Sequence, residues 1–175
     1  MLLLLSACAG GDYRPVSDAT VKIGAPYRVR GVTYSPAVDP AYDMLGLASW
    51  YGSESGRRTA NGERFRPGWV TAAHTTLPLP SYVEVTALDT GGRILVRVND
   101  RGPFAGRGRI LDLSKGAAEA LGAAGRGVVP VRVRVVEPDE RDRARLRRGK
   151  TARALPPVDE RTRANLRAQL RASGL

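Results

Sequence analysis

The stretch VRVNDRGPF, residues 96–104, decides how the fold is interpreted, because a strand pattern ends abruptly inside it. Valine and a polar residue alternate up to Asn99 and Asp100, and a Gly-Pro turn follows. Turn chemistry alone accounts for such an ending, since Asn and Asp bond their own backbone, Gly supplies unusual dihedral angles and Pro cannot continue a ladder. A functional interpretation is that the turn fixes an acid at the mouth of a groove. The stretch by itself leaves both interpretations open.

Alternating apolar residues predict further short strands on both sides of this stretch. The predicted strands are LASWYG at 47–52 and the segments 82–88, 94–100, 109–114 and 128–137. Thr90-Gly91-Gly92 is a hairpin signal between two of them. Ser114 is a predicted N-cap for a short helix that ends at Gly122. Many short strands, one small helix and frequent glycine turns predict a mainly-β chain that folds as a compact barrel.

Composition limits the possible partners and cofactors. The chain has 175 residues and a net charge of +11, which favours polyanions such as nucleic acid, anionic lipid or an acidic wall polymer. Only 6% of the residues are aromatic, so a platform for stacking bases is poorly supplied, and no nucleic-acid partner is expected. Cys8 and His74 are the single cysteine and the single histidine, so the chain alone cannot build a Cys/His zinc site. We expect neither a metal nor another cofactor.

The first residues, MLLLLSACAGGD, resemble the end of a bacterial lipoprotein signal. Leu5-Ser6-Ala7-Cys8 matches the pattern at which signal peptidase cuts before the cysteine, which then becomes lipidated. The apolar run is short and lacks a basic start, so residues 1–7 are interpreted as a truncated signal remnant. The expected mature protein begins at Cys8 and is held on a membrane by acyl chains. This predicts a periplasm-facing lipoprotein of a Gram-negative envelope, at the outer membrane.

Three segments follow the signal remnant. Residues 8–45 carry four prolines among Gly, Ser and Asp, which predicts a mostly irregular stalk that packs on the domain at PYRVRGVTYSP. Residues 46–137 form the predicted barrel. Residues 138–175 are rich in arginine and helix-prone, with only Leu166 and Leu170 as a narrow apolar stripe. We expect this last segment to be a solvated basic tail that is helical or disordered, with membrane or partner binding as the alternative.

Polar residues at the predicted strand ends are the candidates for chemistry. Glu63 follows an Asn-Gly turn, His74 lies in TAAHTTLPLP and Asp100 ends the strand described above. Loops from distant positions meet at one rim of a barrel, so sequence separation does not prevent a shared site. Each residue also has an ordinary structural interpretation, as a solvated turn acid, a hydrogen-bonded histidine or a turn cap. Asp112, inside the apolar strand ILDLS, is expected to bond a neighbouring loop.

Long motifs across residues 46–137 resemble the rare lipoprotein A (RlpA) family. They are GLASWYG, RRTANGERF, VTAAHTTLPLPSYVEVTAL and GRILVRVNDRGPFAGRGRILDLSKGAAEALG. The resemblance implies a six-stranded double-psi β-barrel, related to the barrel of expansins. It also implies a lytic transglycosylase, a carbon-oxygen lyase that cuts the MurNAc–GlcNAc bond of peptidoglycan and prefers strands without stem peptides. The family's acid/base aspartate corresponds to Asp100, its associated glutamate to Glu63 and its histidine to His74.

The implied reaction needs one carboxyl that acts twice. An acid protonates the leaving oxygen, the C6 hydroxyl of the same sugar attacks, and the carboxylate then takes up the C6 proton, which leaves a 1,6-anhydroMurNAc end. Asp100 must therefore start protonated, which burial or the nearby Glu63 anion would favour. Arg101 is expected to point to the opposite side, because neighbours on a strand alternate. The predicted substrate-binding residues are Trp50, Tyr51, Asn61, Arg101 and Asp112.

Two features keep a second function open. Many members of the family carry a C-terminal SPOR domain that binds denuded glycan, whereas this chain ends in the basic segment, so septal enrichment is doubtful. Some relatives also bind or loosen polysaccharide without cleaving it. The alternative is therefore a non-catalytic, wall-binding outer-membrane lipoprotein. A monomer is expected in either case.

Overall fold

The computed structural model describes residues 16–52 and 56–175. Cys8, the predicted lipidation site, lies outside the described residues, as do the signal remnant and the first part of the stalk. In chain order the elements are β1 (Tyr27–Val29), β2 (Val32–Tyr34), β3 (Asp43–Tyr51), β4 (Thr71–Ala73), β5 (Ser81–Ala87), β6 (Arg93–Asp100), β7 (Arg109–Ser114), α1 (Lys115–Leu121), β8 (Val128–Val135), α2 (Glu140–Arg147) and α3 (Glu160–Ala172).

Six of the strands close into a barrel in the order β3-β7-β4-β6-β5-β8, with β8 pairing back onto β3. The pairs β3/β7 and β4/β6 are parallel, and the other four pairs are antiparallel. This closed, mixed arrangement fits the double-psi β-barrel and confirms the predicted mainly-β fold. Closure pairs both edges of every barrel strand, so no barrel strand is left as an open edge.

The core follows from the period-two patterns in the sequence. The inward side chains of β5, β6 and β8 are completely buried valines, which are Val83, Val85, Val96, Val98, Val131 and Val133. Helix α1 covers the barrel with Ala117, Ala118 and Leu121. The Ser114 hydroxyl accepts the Ala117 N–H at the start of α1, and Gly122 ends the helix in the left-handed conformation at φ 73°. The predicted boundaries of α1 are therefore confirmed.

Strand β3 is longer than the sequence pattern predicts. It covers nine residues from Asp43, rather than beginning at Leu47, and it pairs antiparallel with β8 from Asp43 opposite Arg134. The Asp43 carboxylate also accepts a hydrogen bond from Arg132, at 2.6 Å from Nε. The barrel thus begins at Asp43, slightly before the predicted boundary, because cross-strand ion pairing extends a strand whose own residues do not alternate.

The lead-in segment, residues 16–42 of the predicted stalk, packs on the barrel through a hairpin within PYRVRGVTYSP, as predicted. Strands β1 and β2 pair across a two-residue turn at Arg30 and Gly31, both at positive φ. The Tyr27 hydroxyl donates to the carbonyl of Thr75 at 2.7 Å and fixes the hairpin to the histidine loop, residues 74–80 between β4 and β5. Lys22 forms an isolated bridge with Leu79, which ties an earlier part of the segment to the barrel.

The C-terminal segment is helical and packs on the barrel, so the expectation of a solvated tail was wrong. Leu146 of α2 is completely buried and joins the main core, and Leu170 of α3 is 5% exposed. Gly149 packs so closely on the Trp69 ring that a Cβ would lie 2.1 Å from it. A search for a stripe misses this arrangement, because single leucines, a glycine and arginines that bond carbonyls anchor the segment. Within the described residues, no helix has the length and apolar character needed to cross a bilayer.

Candidate active site

The end of β6 brings Asp100 beside a second carboxyl. Strand β4 lies between β6 and β7, and Ala73 pairs with Asp100 on one side and with Asp112 on the other. Asp100 is partly buried, and its Oδ1 accepts the backbone N–H groups of Ala60 and Arg101, each at 2.8 Å. Among the residues that the structure describes, none donates a hydrogen bond to Oδ2.

Burial raises the pKa of Asp100, while the two backbone N–H groups and the Arg101 charge oppose this shift. Burial is thus the cause that supports a protonated carboxyl, and Glu63 is not among the groups that shift this pKa. The Arg101 guanidinium turns away from the carboxylate and donates to the carbonyls of His74, Leu77 and Ile23. Arg101 was predicted to bind substrate, whereas these hydrogen bonds use its guanidinium to hold the surrounding loops together.

Glu63 is held by cations and amides and does not face Asp100 as a free anion. Its two carboxylate oxygens accept hydrogen bonds from Nη1 and Nη2 of Arg97, both at 2.8 Å. The side-chain amides of Asn61 and Asn99 donate to the same carboxylate, at 3.0 and 2.8 Å. Both oxygens are therefore occupied, which corrects the expectation that Glu63 raises the pKa of Asp100 through its charge. Asn61, predicted to bind substrate, uses its amide on Glu63 instead.

Glu63 acts on Asp100 through the backbone of its own turn. The Thr59 N–H donates to the Glu63 carbonyl at 2.9 Å, and the Asn61 N–H donates to the Asn99 carbonyl at 3.2 Å. Between them, Ala60 presents its N–H to the Asp100 carboxyl. The Glu63 carboxylate fixes this turn to β6 through Arg97 and Asn99, and so fixes the donor that orients Asp100.

A buried arginine extends this contact to both ends of the described chain. Arg97 is 1% exposed, and its Nε donates to Asp18 Oδ1 in the lead-in segment at 2.9 Å. Asp18 Oδ2 accepts bonds from the Tyr82 hydroxyl at 2.5 Å and from Arg147 of α2 at 3.0 Å. Sequence reasoning missed this network. Its one signal was Arg97, a charged residue within an otherwise apolar strand, and nothing local identified its partners.

His74 is a structural residue of the loop that borders the site. The side chain is 2% exposed, and Nδ1 accepts the backbone N–H groups of Thr76 and Leu77 at 3.1 and 3.0 Å. Nε2 therefore carries the proton of the neutral ring and donates to the Tyr42 hydroxyl at 2.9 Å. Burial, assisted by the Arg101 charge, lowers the pKa of His74 to about 4. His74 is joined to Asp100 by its backbone N–H, which donates to the Asp100 carbonyl at 3.0 Å.

Tyr51 and Asp112 complete the group around Asp100. Burial, followed by the charges of Asp100 and Asp112, holds the pKa of Tyr51 far above its usual value, so the hydroxyl is neutral and lies near both carboxyls. This buried hydroxyl has no hydrogen-bond partner among the described residues. Asp112 Oδ1 accepts bonds from Ser49 at 2.6 Å and from Arg109. A Cβ added to Gly102 would lie 3.6 Å from Asp112 Oδ2. Asp112 therefore borders the turn that follows Asp100, residues 101–106, which is the candidate catalytic turn.

Trp50 belongs to a different part of the barrel. It alternates with Tyr51 on β3 and faces the other way, and its indole N–H donates to the Arg126 carbonyl at 3.1 Å. The ring packs against the hydrophobic core. The structure therefore places Trp50 apart from Asp100, whereas Tyr51 and Asp112 lie beside it.

Comparisons with known proteins find relatives of the chain. The endolytic peptidoglycan transglycosylase RlpA of Pseudomonas aeruginosa is 54% identical over 115 residues, which are 65% of this chain and 33% of that protein. The protein of the same name from Neisseria meningitidis is 47% identical over 116 residues, which are 65% of this chain and 48% of that protein. The chain thus spans between a third and a half of the length of these relatives. The apo structure of a Clavibacter michiganensis expansin is 21% identical with a TM-score of 0.42, over 55% of this chain and 51% of that chain.

A family model covers the barrel itself. It describes a double-psi β-barrel domain named lytic transglycolase, and it matches residues 43–133. These limits agree with the first residue of β3 and nearly reach the end of β8. The match includes Asp100, Glu63, His74 and Asp112, and it extends over more than half of the chain. The chain therefore belongs to the double-psi β-barrel family of lytic transglycosylases, as its motifs predicted.

Proposed function

We propose that this protein is a peptidoglycan lytic transglycosylase that cleaves MurNAc–GlcNAc bonds within glycan strands and leaves 1,6-anhydroMurNAc ends. The observation that carries the proposal is Asp100, a partly buried carboxyl whose pKa is raised by burial and whose Oδ2 is available. The names of the relatives support the same activity. Strands that lack stem peptides are the proposed substrate.

Asp100 acts first as the acid and then as the base. Its protonated carboxyl donates to the glycosidic oxygen, the bond from that oxygen to C1 of MurNAc breaks, and an oxocarbenium-like centre develops. The C6 hydroxyl of the same sugar forms the new bond to C1, and its proton passes to the Asp100 carboxylate. Atoms balance without water, and the carboxyl returns to its starting state.

The other residues hold Asp100 in place for this reaction. The N–H groups of Ala60 and Arg101 fix Oδ1, so Oδ2 is the oxygen that exchanges the proton. The neutral Tyr51 hydroxyl is buried near both carboxyls, where it adds to the polar surroundings of Asp100. Asp112 is held by Ser49 and Arg109 at the back of the turn, where it supports the polar surroundings of the reacting bond.

Digestion of peptidoglycan from which an amidase has removed the stem peptides tests the proposal. Mass spectrometry should find 1,6-anhydro ends with wild-type protein. Asp100→Asn keeps the size of the side chain but cannot donate the proton, so the rate should fall by about 10² to 10⁴. Activity should also fall as the pH rises through the raised pKa of Asp100, because the ionised carboxyl has no proton to give. Reducing MurNAc ends would show hydrolysis. If neither protein releases fragments while both bind the strands equally, the protein is a wall-binding lipoprotein.

We further propose that the protein is a monomeric lipoprotein anchored at Cys8, facing the periplasm at the outer membrane. The support is the Leu5-Ser6-Ala7-Cys8 sequence after an apolar run. Protein expressed from its native gene should carry acyl mass on Cys8 and partition into detergent, and Cys8→Ala should abolish both. Native protein without acyl groups in the cytoplasm would contradict this location.

A further inference from the structure

A cavity of about 460 Å³ lies beside the catalytic turn. Its lining comes from the β1–β2 hairpin, the segment before β3, the start of β3, the histidine loop, residues 103–106 of the turn and the start of β7. The volume falls within the range of small-ligand sites in proteins. Part of the wall is supplied by the lead-in segment, outside the residues 43–133 that match the family model.

Two partly exposed aromatic rings form one side of this cavity. Tyr34 and Phe104 both line it, with ring centroids 5.6 Å apart and planes at 61°. Tyr27 stacks on Tyr34 at 5.3 Å and contacts Phe104 edge-on at 6.0 Å. Because the Tyr27 hydroxyl is also bonded to the Thr75 carbonyl, the rings are held on the rim before any ligand arrives. Such rings offer apolar contact area to the C–H face of a sugar.

The polar lining indicates an uncharged ligand. The charged side chains that line the cavity are Asp39 and Arg109, and Arg109 is already paired with Asp112. Desolvating a free anion there would gain little from an arginine whose charge is balanced. Asp39, Arg109 and the hydroxyls of Tyr34 and Thr76 instead suit the hydroxyl and amide groups of a neutral sugar.

The cavity also lies next to the proposed catalytic acid. His74 lines it and donates its backbone N–H to the Asp100 carbonyl, and Phe104 follows Asp100 by four residues across the Gly-Pro turn. A sugar next to the bond at Asp100 is therefore the part of a glycan strand that could reach this cavity. In such a strand MurNAc carries a lactyl carboxylate, and GlcNAc carries no charge.

We propose that this cavity is a sugar subsite that binds an uncharged N-acetylglucosamine ring of the strand, with Tyr34 and Phe104 as its aromatic wall. The proposal rests on the proposed function for its substrate class. It makes the lead-in hairpin part of the substrate groove, and it assigns to Tyr34 and Phe104 a role in affinity.

Neutral chitin oligosaccharides of four and six sugars are the probes, because they contain N-acetylglucosamine alone. Their binding to the Asp100→Asn protein is measured by calorimetry, together with cleavage of denuded strands by the protein with Asp100 intact. Tyr34→Ala should weaken binding about three- to tenfold, the effect of losing one aromatic contact. It should raise KM more than it lowers kcat, because a subsite binds ground state and transition state alike. Tyr34→Phe should retain most of the affinity.

Two further variants keep the test independent of folding. Val32→Ala alters an exposed residue of the same hairpin that does not line the cavity, and it should change neither binding nor KM. Ala105→Arg adds bulk at an exposed position that does line the cavity, and it should weaken binding even if Tyr34→Ala unfolds.

Equal affinity and equal KM in wild type, Tyr34→Ala and Ala105→Arg would overturn the subsite, while cleavage by wild type would still support the transglycosylase. Failure of the Asp100→Asn protein to bind the oligosaccharides would overturn it as well. If wild type releases no fragments but Tyr34 controls sugar binding, the subsite stands and the transglycosylase proposal fails.

Discussion

At the scale of single residues, three acids of the site have different roles because their partners differ. Asp100 has one oxygen fixed by backbone N–H groups and no described donor to the other, and burial raises its pKa. Glu63 has both oxygens bonded to Arg97 and asparagine amides, so it is a fixed anion. Asp112 is paired with Arg109 and Ser49. The residue types alone could not separate these roles, since Ala60, Arg97 and Ser49 lie more than 30 residues away from the acids that they bond.

The different roles of Asp100 and Glu63 predict different responses to isosteric amides. Glu63→Gln leaves Arg97 buried with Asp18 as its remaining anion, so the free energy of unfolding should fall by about 2–4 kcal/mol, along with activity. Asp100→Asn should lower the rate by about 10² to 10⁴, with a change in unfolding free energy below about 1 kcal/mol. Urea unfolding and fragment release, measured on both variants, check this. A Glu63→Gln protein that is as stable as wild type and as inactive as Asp100→Asn would show that Glu63 acts on the substrate directly.

At the scale of elements, the sequence predicted what local patterns determine. The barrel strands on either side of the catalytic turn, the N-cap Ser114 and the C-cap Gly122 were all predicted, because alternation and capping are properties of adjacent residues. The extension of β3 to Asp43 was not, because it depends on pairing with β8, more than 80 residues away in the chain. The active-site turn could be recognised by its motif, whereas its Ala60 donor could only be found in three dimensions.

The C-terminal helices show the same limit with a larger consequence. Helix α2 has no apolar stripe, yet Leu146 is completely buried in the main core. Leu146→Ala should lower the free energy of unfolding by about 2–5 kcal/mol, the cost of a core cavity. Leu166→Ala, a matched change at a partly exposed position of α3, should cost less than about 1 kcal/mol. Truncation after Glu137 should destabilise the barrel at least as much as Leu146→Ala. If Leu146→Ala and the truncated protein both unfold in urea as wild type does, the C-terminal segment is dispensable for the stability of the barrel.

At the scale of the whole molecule, the two flanking segments meet at the residue that supports Glu63. Asp18 comes from the lead-in segment and Arg147 from α2, and both contact the group around buried Arg97. Arg143 of α2 also lies over the Tyr82 ring, 5.2 Å from its centroid, and the Tyr82 hydroxyl bonds Asp18. The segments on either side of the barrel are therefore connected to the turn that orients Asp100, through ion pairs that no local sequence pattern indicates.

This connection predicts that a residue of α2, at the far end of the chain from the lead-in segment, influences catalysis. Arg147→Ala removes one partner of Asp18 at a partly exposed position, so the free energy of unfolding should fall by only about 1 kcal/mol or less. The value of kcat should nevertheless fall several-fold, with KM nearly unchanged, because the Glu63 turn loses part of its support. Arg145→Ala is the control. Arg145 lies on the same helix, and among the described residues its side chain hydrogen-bonds only the Thr151 carbonyl.

A double-mutant cycle between Arg147→Ala and Glu63→Gln distinguishes positioning from general destabilisation. If Arg147 acts through Glu63, the double variant should be hardly slower than Glu63→Gln alone, which corresponds to a coupling of about 0.5–3 kcal/mol in activation free energy. Independent sites would give effects on kcat that add. Additive effects, or an Arg145→Ala protein as slow as Arg147→Ala, would show that the network holds the segments together without reaching the catalytic turn. Coupled effects would show that the lead-in segment and α2 help to position the catalytic acid, because the turn that orients Asp100 depends on both.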